Sequence, residues 1–132
     1  MPTILIVDDS PTIRRMVKAS LSPDVEATFL EAGSGLEAIE VLALREVHAI
    51  VLDLNMPDMH GLDVMRFVRS HAQYRHVPVL VLTTRGDASS RDAALQAGAS
   101  AYMTKPFMPP ALVASVKELL AASASSKPAQ RA

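Results

Sequence analysis

The chain has 132 residues, room for one domain with a single core, since folding at this length buries roughly two thirds of the unfolded surface. Apolar residues make up 49% and charged residues 20%, with 13 Lys and Arg against 14 Asp and Glu, which excludes a disordered chain and a broad basic field for nucleic acid. Cysteine is absent, excluding disulfides, thiol nucleophiles and thiolate metal sites together, and a reducing, cytoplasmic setting is the expectation.

Met1-Pro2-Thr3 carries no basic region, and the apolar run after it stops at Asp8-Asp9, too short for a signal peptide or a membrane span. That run, Ile4-Leu5-Ile6-Val7, is β-branched and lacks alternation, the pattern of a strand buried on both faces. Behind it, Ser10 is placed to cap a helix that has Pro11 in its first turn and Ile13, Met16, Val17 and Leu21 on one face. A weaker strand is expected over Val25 to Ala32, followed by a helix opening on the capping-box spacing Ser34-Gly35-Leu36-Glu37 with Leu36, Ile39 and Leu42 inward.

Ala49-Ile50-Val51-Leu52 and Val79-Leu80-Val81-Leu82 repeat the buried-strand pattern. Between them, Gly61 precedes a helix with Leu62, Met65 and Val68 at helical spacing. A fourth helix runs from about Ser89 to a stop at Gly98, a fifth strand is expected at Ser100 to Met103, and Pro109-Pro110 opens a last helix with Leu112, Val113, Val116, Leu119 and Leu120 inward. From Ser123 the chain has nothing to bury, so residues 1–122 are expected to form the domain and 123–132 a disordered tail. Five alternations of strand and helix with short connections imply a doubly wound α/β fold: a five-stranded parallel sheet with five helices on its two faces. Ligands of such folds sit at the C-terminal edge of the strands.

That edge collects Asp8-Asp9 after the first strand, Asp53 after the third, Thr83 at the end of the fourth and Lys105-Pro106 after the fifth. Three carboxylates in one place raise one another's pKa unless a cation neutralises them, and an all-oxygen set suits Mg²⁺ better than zinc. An aspartate closing a run as apolar as Ala49 to Leu52 is costly in a core, which marks Asp53 as functional; Asp8-Asp9 taken alone fits a helix cap equally well. His48, His60, His71 and His76 share no ligand spacing and receive no role.

The ordered set Asp8-Asp9, Asp53, Thr83, Lys105-Pro106, with the stretches 53–61 and 97–107, resembles the receiver domains of response regulators, especially the stand-alone chemotaxis type. The resemblance implies strand order 2-1-3-4-5, as in flavodoxin-like folds, and a phosphorylated Asp53. It implies Mg²⁺ held by Asp9, Asp53 and the Asn55 carbonyl, with Asp8 acting largely through water, while Thr83 and Lys105 contact the phosphoryl group. It also implies a cis Lys105-Pro106 bond and a switch linking Thr83 to Tyr102 that alters the face of the fourth helix, fifth strand and fifth helix. The implied partners are a histidine kinase and a downstream protein that binds this face, with no nucleic acid, no membrane insertion, and a monomer or weak dimer. Such a protein is not an enzyme beyond catalysing its own phosphorylation and dephosphorylation. Thr84 and Arg85 stand where many relatives have a small residue and no cation, from which slow self-dephosphorylation is expected. Two rivals remain at this point, a phosphate sink for a kinase and a small Asp-based phosphatase; Asn55 occupies the place where the latter's acid–base aspartate is expected.

Overall fold

The structure is a computed structural model and describes residues 1–56, 58–84 and 86–126, with the side chains of 123–126 left aside. Its elements are β1 (Thr3–Val7), α1 (Pro11–Leu21), β2 (Thr28–Ala32), α2 (Gly35–Leu44), β3 (Ala49–Leu52), α3 (Gly61–Ser70), β4 (Val79–Thr83), α4 (Ala88–Gln96), β5 (Ala101–Thr104) and α5 (Pro109–Ser126). The strands pair in parallel in the order β2-β1-β3-β4-β5, so the predicted doubly wound α/β architecture is the observed one.

Successive residues of a strand point to opposite faces, and the unbroken apolar runs therefore feed two cores. Leu5, Val7, Ile50, Leu52, Val79 and Val81 meet Ala38 and Leu42 of α2, Val64, Met65 and Val68 of α3, and Ala94 of α4. Ile4, Ile6, Ala49, Val51, Leu80 and Leu82 meet Val17 and Leu21 of α1 and Leu112 and Val116 of α5.

Ser10 caps α1 with its hydroxyl on the Ile13 N–H, and Ser34 caps α2 in the same way on the Glu37 N–H. The fourth helix takes Asp87 as its cap and ends before Gly98, whose φ of 112° suits a residue without a side chain.

Some expectations shift. Val25 is still in the exit turn of α1, its N–H bonded to the Leu21 carbonyl, so β2 begins only at Thr28. Met16 is 48% exposed because the buried stripe of α1 is Val17 and Leu21; Leu36 is 57% exposed because α2, apolar on nearly every side, buries Gly35, Ala38 and Leu42 instead. The fifth helix continues through the Ala- and Ser-rich segment to Ser126, past the expected boundary at Ala122, as alanine's high helix propensity favours. Residues 127–132 of the expected tail lie outside the described residues.

Register decides which side chains meet at the C-terminal edge. Val7 stands opposite both Leu52 and Ala32, and Thr83 opposite Thr104. The residues that follow these strands, Asp8, Asp53 and Lys105, are thereby brought level.

At the N-terminal edge, the Arg69 guanidinium donates to the carbonyls of Gly98 (3.0 and 2.8 Å), Val77 (2.6 Å) and Arg75 (3.0 Å), joining the ends of α3 and α4 to the start of β4. Beside β1, His48 donates its backbone N–H to the Thr3 carbonyl (2.8 Å) and accepts the Thr3 N–H on Nδ1 (2.9 Å).

Candidate functional site

Asp8 and Asp53 are almost fully buried, at 3% and 4% exposure, where each backbone N–H is tied to a strand: Asp8 to the Ala32 carbonyl and Asp53 to that of Val7. Asp9, next in sequence, is exposed. One carboxylate oxygen from each of the three lies within 4.8 Å of the others, a cluster of hard oxygen donors opening to solvent on the Asp9 side. The Lys105 ammonium is 2.7 Å from Asp8 Oδ2 and 3.5 Å from Asp53 Oδ1. It thus pairs first with Asp8 and only second with the carboxylate of Asp53.

Burial raises the Asp53 carboxyl above its ordinary value; Lys105 pulls it down, the Asp8 charge pushes it up, and the Asn55 N–H and the Lys105 hydrogen bond lower it again. A buried carboxylate is thereby held in low dielectric with one cation shared between two anions. This donor set fits a hard divalent cation: three carboxylates against one ammonium leave negative charge unbalanced, and no nitrogen or sulfur ligand competes.

Of the remaining expected site residues, Thr83 and Asn55 fall around this centre. Thr83 is fully buried at the end of β4, where its carbonyl accepts the Lys105 N–H (2.7 Å). The Lys105-Pro106 peptide bond is cis. Asn55 is exposed, two residues beyond Asp53, and turns its backbone N–H toward that carboxylate. Tyr102 is not among these groups: it sits mid-strand on β5, half-buried against the core shared with α2, α3 and α4. Thr84 is exposed after β4, whereas Arg85 and Pro57 lie outside the described residues.

The loop between β3 and α3 is closed at its base by Gly61, whose N–H bonds the Leu54 carbonyl at 2.8 Å. A Cβ at Gly61 would stand 2.6 Å from both the Asp53 carbonyl oxygen and the Leu54 Cα, so the position admits no side chain without moving the Asp53 backbone. His60 caps α3, its Nδ1 accepting the Leu62 N–H, and lines a cavity of about 170 Å³ with Asn55, Ser89 and Ser90.

Arg14 and Asp58, for which the sequence suggests no role, and Ser10, expected only as a helix cap, support the site. Arg14 donates to the Asp8 carbonyl (2.6 Å) and pairs with Glu31 (2.8 Å), bracing the β1 end against β2. Ser10 donates its backbone N–H to Asp8 Oδ1 at 2.9 Å. Asp58 spans from the β3–α3 loop to the first turn of α2, its oxygens accepting from Gly35 and Leu36 N–H at 3.1 Å each. Helical spacing places Arg14 on the polar face of α1, but nothing in the sequence names partners set by strand order. A larger cavity of about 420 Å³ lies at the opposite edge, among Leu44, His48, Tyr74 and His76, remote from the carboxylates.

Residues 4–117 match the family model of the response regulator receiver domain. Over 110 residues the chain is 41% identical to chemotaxis protein CheY1 of Helicobacter pylori, covering 83% of this chain and 89% of that one. A CheY homolog of Campylobacter jejuni is 37% identical over 118 residues, 89% of this chain and 91% of the relative. The structure of chemotaxis response regulator CheY4 of Vibrio cholerae superposes with a TM-score of 0.83 at 32% identity, covering 90% of this chain and 98% of that one. With residues 4–117 matched by the family model and most of its length aligned with these relatives, the chain belongs to the response regulator receiver domain family.

Proposed function

We propose that this receiver accepts a phosphoryl group on Asp53 from the phosphohistidine of a histidine kinase and signals by presenting an altered surface to a partner protein. The observation that carries the reading is the buried Asp53 carboxylate, flanked by Asp8 and Asp9 and shared with Lys105 at the sheet edge. Phosphoryl transfer asks the protein mainly for in-line positioning and charge neutralisation. An Asp53 oxygen attacks phosphorus, the P–N bond breaks with its electron pair staying on the donor imidazole, and an acyl phosphate remains.

Asp9, Asp53 and the Asn55 carbonyl would hold Mg²⁺, with Asp8 acting through water; the ion supplies neutralisation of phosphoryl charge. Lys105 already lies within 3.5 Å of Asp53 and moves its pairing from Asp8 toward the new phosphoryl oxygens. The Thr83 hydroxyl donates to another phosphoryl oxygen and draws the loop after β4 toward the site. Because Lys105 N–H is bonded to the Thr83 carbonyl, that motion reaches β5 directly, and Tyr102 passes it to the surface of α4, β5 and α5. The downstream partner binds there.

Among the described residues no helix is long and apolar enough to cross a membrane, in keeping with a partner reached by diffusion. Slow loss of the phosphoryl group follows if Thr84 obstructs the attacking water and Arg85 stabilises the phosphoryl charge.

The test is incubation with acetyl phosphate and Mg²⁺, read by intact mass. A single phosphoryl adduct that disappears in Asp53→Asn is the expected result; wild-type protein that stays unmodified overturns the reading.

A further inference from the structure

The first turn of α2 is satisfied from two sources. Ser34 serves the Glu37 N–H through its hydroxyl and the Ala38 N–H through its carbonyl, while the Glu37 carboxylate returns to the Gly33 N–H. That is a capping box whose return bond falls one residue early, on Gly33 rather than on the N-cap Ser34, and it leaves the Gly35 and Leu36 N–H groups open. Both are taken by a single carboxylate from outside the helix, Asp58, with Oδ1 on Gly35 and Oδ2 on Leu36. These bonds hold the Asp58 carboxyl below its usual range, Leu36 first and Gly35 after it, although the side chain is exposed.

Asp58 lies three residues beyond Asn55 in the loop that leaves Asp53. The base of that loop is shut by Gly61 on Leu54. Its far end meets α2 a second time through Met59, because a Cβ added at Gly35 would come 2.8 Å from Met59 Cβ and 3.0 Å from Val64 Cγ2. Asn55 itself is exposed. Its backbone sits between the buried side chains of Leu54 and Met56, and a few residues on Asp58 ties the same loop to α2.

We propose that Asp58 is a positioning residue for the metal site: by clamping the β3–α3 loop to the first turn of α2, it holds the Asn55 backbone where a divalent cation at Asp9 and Asp53 meets its carbonyl. This inference rests on the metal reading above. Outer groups that orient a metal ligand typically contribute tenfold or more to affinity. One that acts from three residues away along the backbone should contribute less than that.

The experiment is calorimetric titration of Mg²⁺ into the full chain, with phosphorylation by acetyl phosphate followed in parallel. Asp58→Ala should weaken Mg²⁺ binding by about three- to tenfold, while the phosphorylation rate at saturating Mg²⁺ stays within about twofold. Gly35→Ala keeps every charge but pushes the helix turn off Met59, so it should weaken Mg²⁺ in the same direction. Ser34→Ala removes the cap of α2 without touching the loop and should lower the melting temperature with no change in Mg²⁺ affinity. Asp58→Ala binding Mg²⁺ as tightly as wild type overturns the proposal. So does an equal loss in Ser34→Ala, which would make the effect one of helix stability, or normal binding in Gly35→Ala, which would make it one of charge alone. A wild-type chain that binds no Mg²⁺ at all removes the metal reading itself, an outcome separate from these.

Discussion

The two edges of the sheet are built on opposite electrostatic principles. At the N-terminal edge one cation, Arg69, meets three carbonyls, and the Ser100 hydroxyl oxygen accepts the Val79 N–H. At the C-terminal edge three carboxylates share one ammonium, and burial lifts the Asp53 carboxyl above its ordinary value. Both edges gather polar groups at strand ends. One spends them on cohesion; the other leaves charge unbalanced, which is where the proposed cation and phosphoryl group would find complementary partners. The proposed function thus falls where the fold is least satisfied.

The largest effect should come from the satisfied edge. Arg69→Leu orphans the Val77 and Gly98 carbonyls and should cost about 3 kcal/mol, given about 1.5–3 kcal/mol for a hydrogen bond to a charged group and partial relief by water. In thermal melts that is a fall of about 10 °C for a chain of this size. Mg²⁺ affinity should not change. A variant as stable as wild type would erase the contrast between the edges.

Lys105→Ala tests the opposite edge. With the ammonium gone, Asp8 and Asp53 stay buried and uncompensated, and stability at neutral pH should fall by about 2 kcal/mol. Because the ionised Asp53, whose carboxyl is already raised above its ordinary value, loses its cation, the gap to wild type should narrow as pH falls toward the carboxylate range, and also when Mg²⁺ is added. A loss independent of both would mean that the lysine stem, not its charge, is what matters.

The smallest effect should have the reverse sign. Asp53 has a raised pKa, so the stability its protonated form confers is complete below the ordinary value of 3.8 and is lost as pH rises through the raised one. At pH 7 the wild type therefore carries the cost of the ionised group. Asp53→Asn should then melt a few degrees higher in Mg²⁺-free buffer, with the gain fading toward pH 4. Added Mg²⁺ should raise the melting temperature of wild type more than that of the variant.

Much of this arrangement is legible in the sequence because its signals are local. Ala49 to Leu52 followed by Asp53 needs only the rule that an aspartate does not end a buried strand without cause, and parallel order then sends every strand end to one edge. What escapes is set by register and crossover. Asp58 lies 23 residues from Gly35, and Arg69 lies 29 from Gly98, in each case with a strand between them; no periodicity joins such pairs. Leu36 and Met16 mislead for a different reason. In α2, apolar on most sides, residue type cannot say which stripe faces the sheet, and small residues, Gly35 and Ala38, take the closest approach.

His48 has a consequence of another kind. Its Nδ1 accepts the Thr3 N–H, so the ring carries its hydrogen on Nε2, which faces the Glu46 carboxylate at 3.8 Å. The imidazole stands in for the carbonyl that a longer β3 would have offered to β1, extending the ladder by one rung with a side chain. A single tautomer follows, and nitrogen chemical shifts distinguish the two forms. The ring thus serves as a native reporter for fraying of the first strand, at the end of the molecule farthest from Asp53.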